Sequence, residues 1–177
     1  MARGAAEAFV ARYSVPKLLG WFAASAGMAG LGLGVVVGAL GAHGVIETAA
    51  GTLGVLFFGG IAAVHAARLF NRREQVIIDS RGVFVRSHSD TWIAVRSIKS
   101  LHLDVGRVSL TLHKPDKYPI KTRHRRLIYR LNGSAARGFF GDVWIWSNVL
   151  DQPTEAFVAA IQAHRPTTAF EQQMAAP

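Results

Sequence analysis

The pattern of apolar and polar positions divides the chain into two unlike parts. Residues 18–42 (LLGWFAASAGMAGLGLGVVVGALGA) and 48–67 (TAAGTLGVLFFGGIAAVHAA) contain no Asp, Glu, Lys or Arg. A helix of about 20 apolar residues is long enough to cross the hydrocarbon core of a bilayer. The two runs therefore predict transmembrane helices over 18–42 and 48–70, joined by a turn at 43–47. A cleaved signal peptide would carry an apolar stretch of only about 7–15 residues. Core helices of a soluble protein ordinarily keep a polar face. In the first run Ala26, Gly30, Gly34 and Gly38 recur every fourth residue, and this stripe is expected to pack the helices together.

Past residue 74 the pattern shortens to that of strands. Val76, Ile77 and Ile78 are followed by the turn residues Asp79 to Gly82, and Val83 to Val85 resume the apolar run, which is a hairpin signal. Residues 91–95 (TWIAV) read as a third short strand, and Ile98, Leu101 and Leu103 continue the pattern. Residues 108–113 (VSLTLH) alternate as a half-buried strand does, and Trp144 to Trp146 mark a later one. Residues 153–164 read as a helix with Phe157, Val158 and Ile161 inward, Asp151 or Gln152 as its cap and Pro153 in its first turn. Ahead of the apolar runs, residues 9–15 (FVARYSV) alternate like a strand that could join the same sheet, with a short helix as the alternative. The expected fold class is an α+β membrane protein. It has a transmembrane α-helical hairpin and a small antiparallel β domain, over residues 71–165, closed by a C-terminal helix. Residues 1–17 form an N-terminal segment and residues 166–177 a flexible tail.

Charge adds orientation. The chain carries a net charge of +9, and 17 of its 20 Lys and Arg lie at or after Arg68. Arg3, Arg12 and Lys17 precede the first apolar run, Arg68, Arg72 and Arg73 follow the second, and the connection between has neither Lys nor Arg. Positive flanks stay inside, so both termini are expected in the cytoplasm. The most basic stretch is residues 114–131 (KPDKYPIKTRHRRLIYRL), in which Asp116 is the lone acid. Its Lys121, Arg123, Arg125, Arg126 and Arg130 are the expected contacts to anionic lipid headgroups, with Ile120, Leu127, Ile128, Tyr129 and Leu131 turned towards the sheet. The same charges would suit nucleic acid, but no recognition motif accompanies them.

The chain resembles a family of small bacterial membrane proteins with a two-helix hairpin and a pleckstrin-homology-like (PH-like) cytoplasmic domain, largely of unknown function. The residues that carry the resemblance are 56–74 (LFFGGIAAVHAARLFNRRE), 76–87 (VIIDSRGVFVRS), 91–104 (TWIAVRSIKSLHLD), 112–118 (LHKPDKY) and the final Asp151 and Pro153-Thr-Glu-Ala-Phe157. Val95-Arg96-Ser97-Ile98 departs from the family pattern in lacking an acidic residue before the Ile. The resemblance implies a multi-pass protein of the bacterial inner membrane and a PH-like domain, with no catalytic residue and no established ligand.

Little else suggests chemistry. With no cysteine the chain has no disulfide and no thiolate site. His88, His102, His113, His124 and His164 are scattered without metal-ligand spacing. Ser87-His88-Ser89-Asp90 holds the letters of a triad, but adjacent turn residues cannot form the relay. Gly30-Leu-Gly-Leu-Gly34 lacks the preceding strand of a nucleotide site. His65, inside the second run, has no acidic partner there. The expectation is a non-enzymatic membrane protein without cofactor or metal. Its hairpin anchors a basic module that binds lipid headgroups or a protein. The alternative is a subunit or scaffold that assembles through the hairpin with other copies or other proteins.

Overall fold

The computed structural model describes residues 7–41 and 44–164. The expected tail, 166–177, the start of the expected N-terminal segment, residue 42 at the end of the expected first helix and residue 43 of the expected turn lie outside the described residues. The chain forms two compact units. One comprises residues 13–73; the other is built from the residues on either side of it.

The first unit is a pair of antiparallel helices, α1 (Val15–Val36) and α2 (Val45–Leu69). At 1.5 Å per residue their 22 and 25 residues span about 33 and 37 Å. Both are long and apolar enough to cross a membrane. Pro16 sits in the first turn of α1, where its missing N–H costs nothing. The first helix is shorter than the apolar run because Gly38, at φ 72°, turns the chain. Large apolar side chains point away from the pair: Leu31, Leu53, Leu56 and Phe57 are each more than half exposed.

The expected glycine stripe does not make the helix contact. A Cβ on Gly30 would meet nothing within 4 Å, one on Gly34 would meet the Leu40 side chain, and Gly38 lies outside the helix. The close approach is instead between Gly32 and Gly51. A Cβ on Gly32 would lie 2.9 Å from the Gly51 carbonyl oxygen, and one on Gly51 would lie 2.7 Å from that of Gly32. Leu18, Ser25 and Gly32 share this face at seven-residue spacing, and the first two are buried. On α2 the buried positions are Gly51, Ala62 and His65, with the His65 ring stacked on Trp21 at 6.3 Å. Small residues surround α1 on several sides, so the four-residue spacing could not single out the face in use.

The second unit has two three-stranded antiparallel sheets. The first is ordered β1 (Phe9–Ala11), β2 (Val76–Asp79), β3 (Gly82–Val85). Phe9 pairs with Ile78 and Ala11 with Val76, so residues 9–11 are a strand of the sheet and not a helix. Residues 91–95 contribute only a bridge, Ile93 to Val83, before a single 3-10 turn at Val95–Ser97. Gly82 is required at this crossing: its φ is 133°, and a Cβ there would lie 2.2 Å from the Ile93 carbonyl oxygen. The second sheet is ordered β4 (Ile98–Asp104), β5 (Arg107–Leu112), β6 (Val143–Trp146).

Helix α3 (Arg123–Phe140) joins β5 to β6, and α4 (Thr154–Ala163) closes the unit. Residue Pro153 occupies the cap position of α4, and no side chain caps it. Asp151 instead ties the ends of the chain together: its carboxylate accepts the Arg12 N–H, and its own N–H donates to the Arg12 carbonyl, both at 2.9 Å. The core is Val76, Ile78, Val83, Ile93, Val108, Leu110, Val143 and Ile145, with Phe157 and Ile161 of α4 fully buried among them. The Phe157 ring meets Phe9 edge-on at 5.1 Å, which draws β1 into the same core.

Candidate functional site

Strand β5 is buried on both faces, and its register explains why. Val108 and Leu110 pair with Ile145 and Val143 on the core side, while Arg107 and Ser109 pair with Trp146 and Trp144 on the other. Helix α3 covers that second side. Arg125, Tyr129, Ala136 and Phe140 recur along one stripe of the helix. Tyr129 and Phe140 lie 5.4 and 4.8 Å from Trp144, ring to ring.

Arg125 is the first member of this stripe and is buried, at 2% exposure. Its guanidinium lies 4.0 Å from the centre of the Trp144 ring and donates to the Trp144 carbonyl at 2.8 Å and to Ser87 Oγ at 2.6 Å. The indole face and two oriented acceptors offset the cost of removing the charge from water. Arg107 is held the same way, against Phe139, Phe140 and Trp146 and paired with Asp104.

The expected arrangement of the basic segment is thereby corrected at two points. Arg125 faces the sheet and is not a surface cation. Leu127 and Leu131, expected to pack inward, are 56% and 74% exposed. The indole of Trp144 already fills the space beneath the helix, and the helix turns so that Arg125 and Tyr129 reach it. The remaining basic residues are at the surface. Arg123 and Arg130 flank the exposed leucines, Arg126 bonds the Ile120 carbonyl at 3.1 Å, and Lys121 lies 3.6 Å from Asp90. At helical spacing Arg123, Leu127, Arg130 and Leu131 form one outward face.

A cleft of about 570 Å³ opens on a different side of α3. One wall is the helix stripe Arg126, Tyr129, Gly133 and Arg137; the other is the segment from Pro115 to Ile120. The helix bends at Gly133, whose φ of 50° and ψ of −124° break its regular turn. Asp142 and His88 also line the cleft. One Asp142 oxygen accepts the Leu112 N–H at 2.8 Å, and the other lies 4.0 Å from Arg137 Nε. Tyr129 donates to the Gly141 carbonyl, and burial pushes its hydroxyl up to about 12, so it stays a neutral donor.

His88 is 1% exposed. Its Nε2 lies 3.0 Å from the Tyr118 carbonyl, an acceptor, so Nε2 carries the proton and Nδ1 is the bare nitrogen. No hydrogen-bond partner for Nδ1 is found among the described residues. Burial holds the imidazole below its ordinary 6.5. The Tyr118 carbonyl and Asp142 oppose this, and the Arg125 charge adds to it. The unfolded chain therefore binds a proton at His88 first, and folded stability falls as pH drops below about 6.5. Urea unfolding at pH 7.5 and pH 5 should show this loss, and His88→Gln should reduce it. The Asp79 carboxylate, held below its ordinary 3.8 chiefly by its bonds to Arg81, acts in a separate window below about pH 4. An unchanged pH dependence in His88→Gln would remove the assignment to His88.

No group of three or more metal-ligating side chains is gathered among the described residues. The cleft itself was not legible as a motif, because its walls come from residues 88, 115–120, 126–137 and 142. The sequence hint reaches no further than Arg126 and Tyr129, which stand one turn apart; the break at Gly133 decides where Arg137 lies. No protein-family model, no curated protein and no solved structure matches this chain.

Proposed function

We propose that the helix pair is a membrane hairpin anchoring a PH-like module whose α3 docks on an anionic leaflet. The observation that carries this reading is the outward face of α3. Leu127 and Leu131 stand exposed beside Arg123 and Arg130 on a helix that already has its packing face filled. An apolar ridge flanked by arginines suits the boundary between headgroups and acyl chains. Near such a surface each basic residue contributes roughly 1 kcal/mol.

Two further features support it. The α1–α2 pair leaves its large apolar side chains exposed, as lipid-facing residues are. Both ends of the hairpin lead into adjacent strands of one sheet, β1 and β2, so the two flanks belong on the same side of a membrane. The basic flanks make that side the cytoplasm. Small antiparallel sheets closed by a C-terminal helix are the PH-like layout, and they support that assignment here. The module is non-enzymatic in this reading, and its partner is the lipid surface.

The absence of cysteine gives a direct test. A single cysteine at Ala135, exposed and outside the lining of the cleft, carrying an environment-sensitive fluorophore, would be followed in the full chain in nanodiscs. Anionic discs should shift its emission to the blue relative to neutral ones, and about 0.5 M salt should reverse the shift by screening. Leu127→Asp with Leu131→Asp should abolish it while leaving stability within about 0.5 kcal/mol, since both positions are exposed. Equal emission in neutral and anionic discs would sink the docking of α3.

A further inference from the structure

We infer that the cleft between α3 and the 115–120 segment is a binding site for a small phosphorylated polyol, free or as a lipid headgroup. The surface docking above uses the Arg123, Leu127, Arg130 and Leu131 face. The cleft uses the Arg126, Tyr129, Gly133 and Arg137 stripe, so the two stand or fall separately.

The cleft has the size of a small-molecule site, about 570 Å³, within the range of roughly 300–1,000 Å³ common for such sites. That is far more than a bare anion fills. Two guanidinium groups border it. Arg126 is fixed in place by its bonds to the Ile120 carbonyl, at 3.1 and 3.3 Å. Arg137 is only loosely engaged: 4.0 Å from Asp142 is beyond a hydrogen bond, and its side chain is 60% exposed. Its fork can therefore turn to a phosphate, which guanidinium geometry matches with two parallel bonds.

The rest of the lining asks for hydroxyl groups. His88 is buried against the cleft and shapes its floor, its Nδ1 closed off from solvent. Asp116 and Asp142 add carboxylate acceptors, and Pro119 and Ile120 supply apolar wall. A ligand that offers donors to carboxylate and an anion to arginine is a hydroxylated phosphate ester. A simple anion would bring no donor to these carboxylates, and an uncharged polyol would leave Arg137 unused.

Thermal unfolding of the full chain in phosphatidylcholine nanodiscs tests this. Glycerol 3-phosphate at ten times its Kd should raise the midpoint by about 5 °C. Glycerol should do nothing, and inorganic phosphate should do less than the ester. Arg137→Gln should remove the response with little change in the unliganded midpoint, because that side chain is exposed. Ser134→Trp, which places a bulky group at the cleft wall, should remove it as well. A second arm replaces part of the disc lipid with phosphatidylglycerol and adds no ligand. Stabilisation in that arm, lost in Arg137→Gln but kept in Arg123→Gln with Arg130→Gln, would identify the ligand as a headgroup. No stabilisation in either arm would overturn the site, as would a response that survives both Arg137→Gln and Ser134→Trp.

Discussion

Replacing Arg125 by Met is expected to destabilise the sheet unit by about 3 kcal/mol. The guanidinium donates to the Trp144 carbonyl and to Ser87 Oγ from a position that is 2% exposed. Hydrogen bonds from a charged donor each contribute roughly 1.5–3 kcal/mol, and a carbonyl left bare in the interior has the larger share of the cost. The stacking on Trp144 adds to this. For a domain of about 100 residues this corresponds to a fall of some 12 °C in Tm, at roughly 4 °C per kcal/mol. Arg123→Ala and Arg130→Ala, at the exposed face of the same helix, should each stay within about 0.5 kcal/mol. Urea unfolding followed by tryptophan fluorescence separates the cases, since Trp144 reports on the contact itself. If Arg125→Met unfolds at the wild-type midpoint, the buried cation contributes nothing. The expected contrast also bears on function: a binding defect produced by removing all the arginines of α3 together would report unfolding and not lost headgroup contact.

The second large effect belongs to the hairpin. Gly51→Leu should weaken the pairing of α1 with α2 by about 2–3 kcal/mol, the upper range for overpacking. A Cβ at position 51 would lie 2.7 Å from the Gly32 carbonyl oxygen and 3.0 Å from the Val35 side chain. The first of these is backbone and cannot swing away, so the helices must separate. In lipid, close packing of backbones is a main source of helix association, and separation loses it directly. Gly30→Leu, which meets open space, should change the pairing by a few tenths of a kcal/mol at most. The stack of Trp21 on His65 provides the signal, because the emission of Trp21 changes when the helices part. Titration with a denaturing detergent would give the two midpoints. A hairpin weakened by Gly30→Leu and not by Gly51→Leu would mean that the helices pair through the opposite face.

Features set by near neighbours in the chain were legible in the sequence. The two apolar helices, the Asp79–Gly82 turn and α4 follow from periodicity and turn chemistry within a few residues of themselves. The alternation at residues 9–15 also pointed to the strand over Phe9–Ala11, although its partner lies more than 60 residues away. What could not be read depended on a distant neighbour. Hydrophobicity assigns an arginine to the surface and a leucine to the core. In α3 that assignment is reversed, because Trp144, beyond the end of the helix, presents an aromatic face and a carbonyl to Arg125. The glycines of α1 posed a different problem. Several faces are small enough to allow close approach, and only the position of Gly51 on the other helix selects Gly32. For the cleft the cause is dispersal: each wall is ordinary as a sequence, and the lining residues meet only once α3 folds against His88, residues 115–120 and Asp142.

The pairing of β1 with β2 carries one more consequence. Ala11 lies opposite Val76, the Gln75 N–H donates to the Ala11 carbonyl at 2.9 Å, and Arg12 is ion-paired with Glu74 at 2.8 Å. The chain leaves and re-enters the sheet at neighbouring points of one antiparallel ladder, where a two-residue turn would ordinarily suffice. The whole of residues 13–73 is thus an insertion into the tip of a β-hairpin. Cutting the chain after residue 70 would strip the sheet of an edge strand and expose the backbone of β2. Splicing Arg12 to Glu74 through a short Asn-Gly turn would instead preserve the pairing of β1 with β2 and of β2 with β3. The sheet unit of this protein is therefore best thought of as a domain with a replaceable turn, not as a C-terminal fragment.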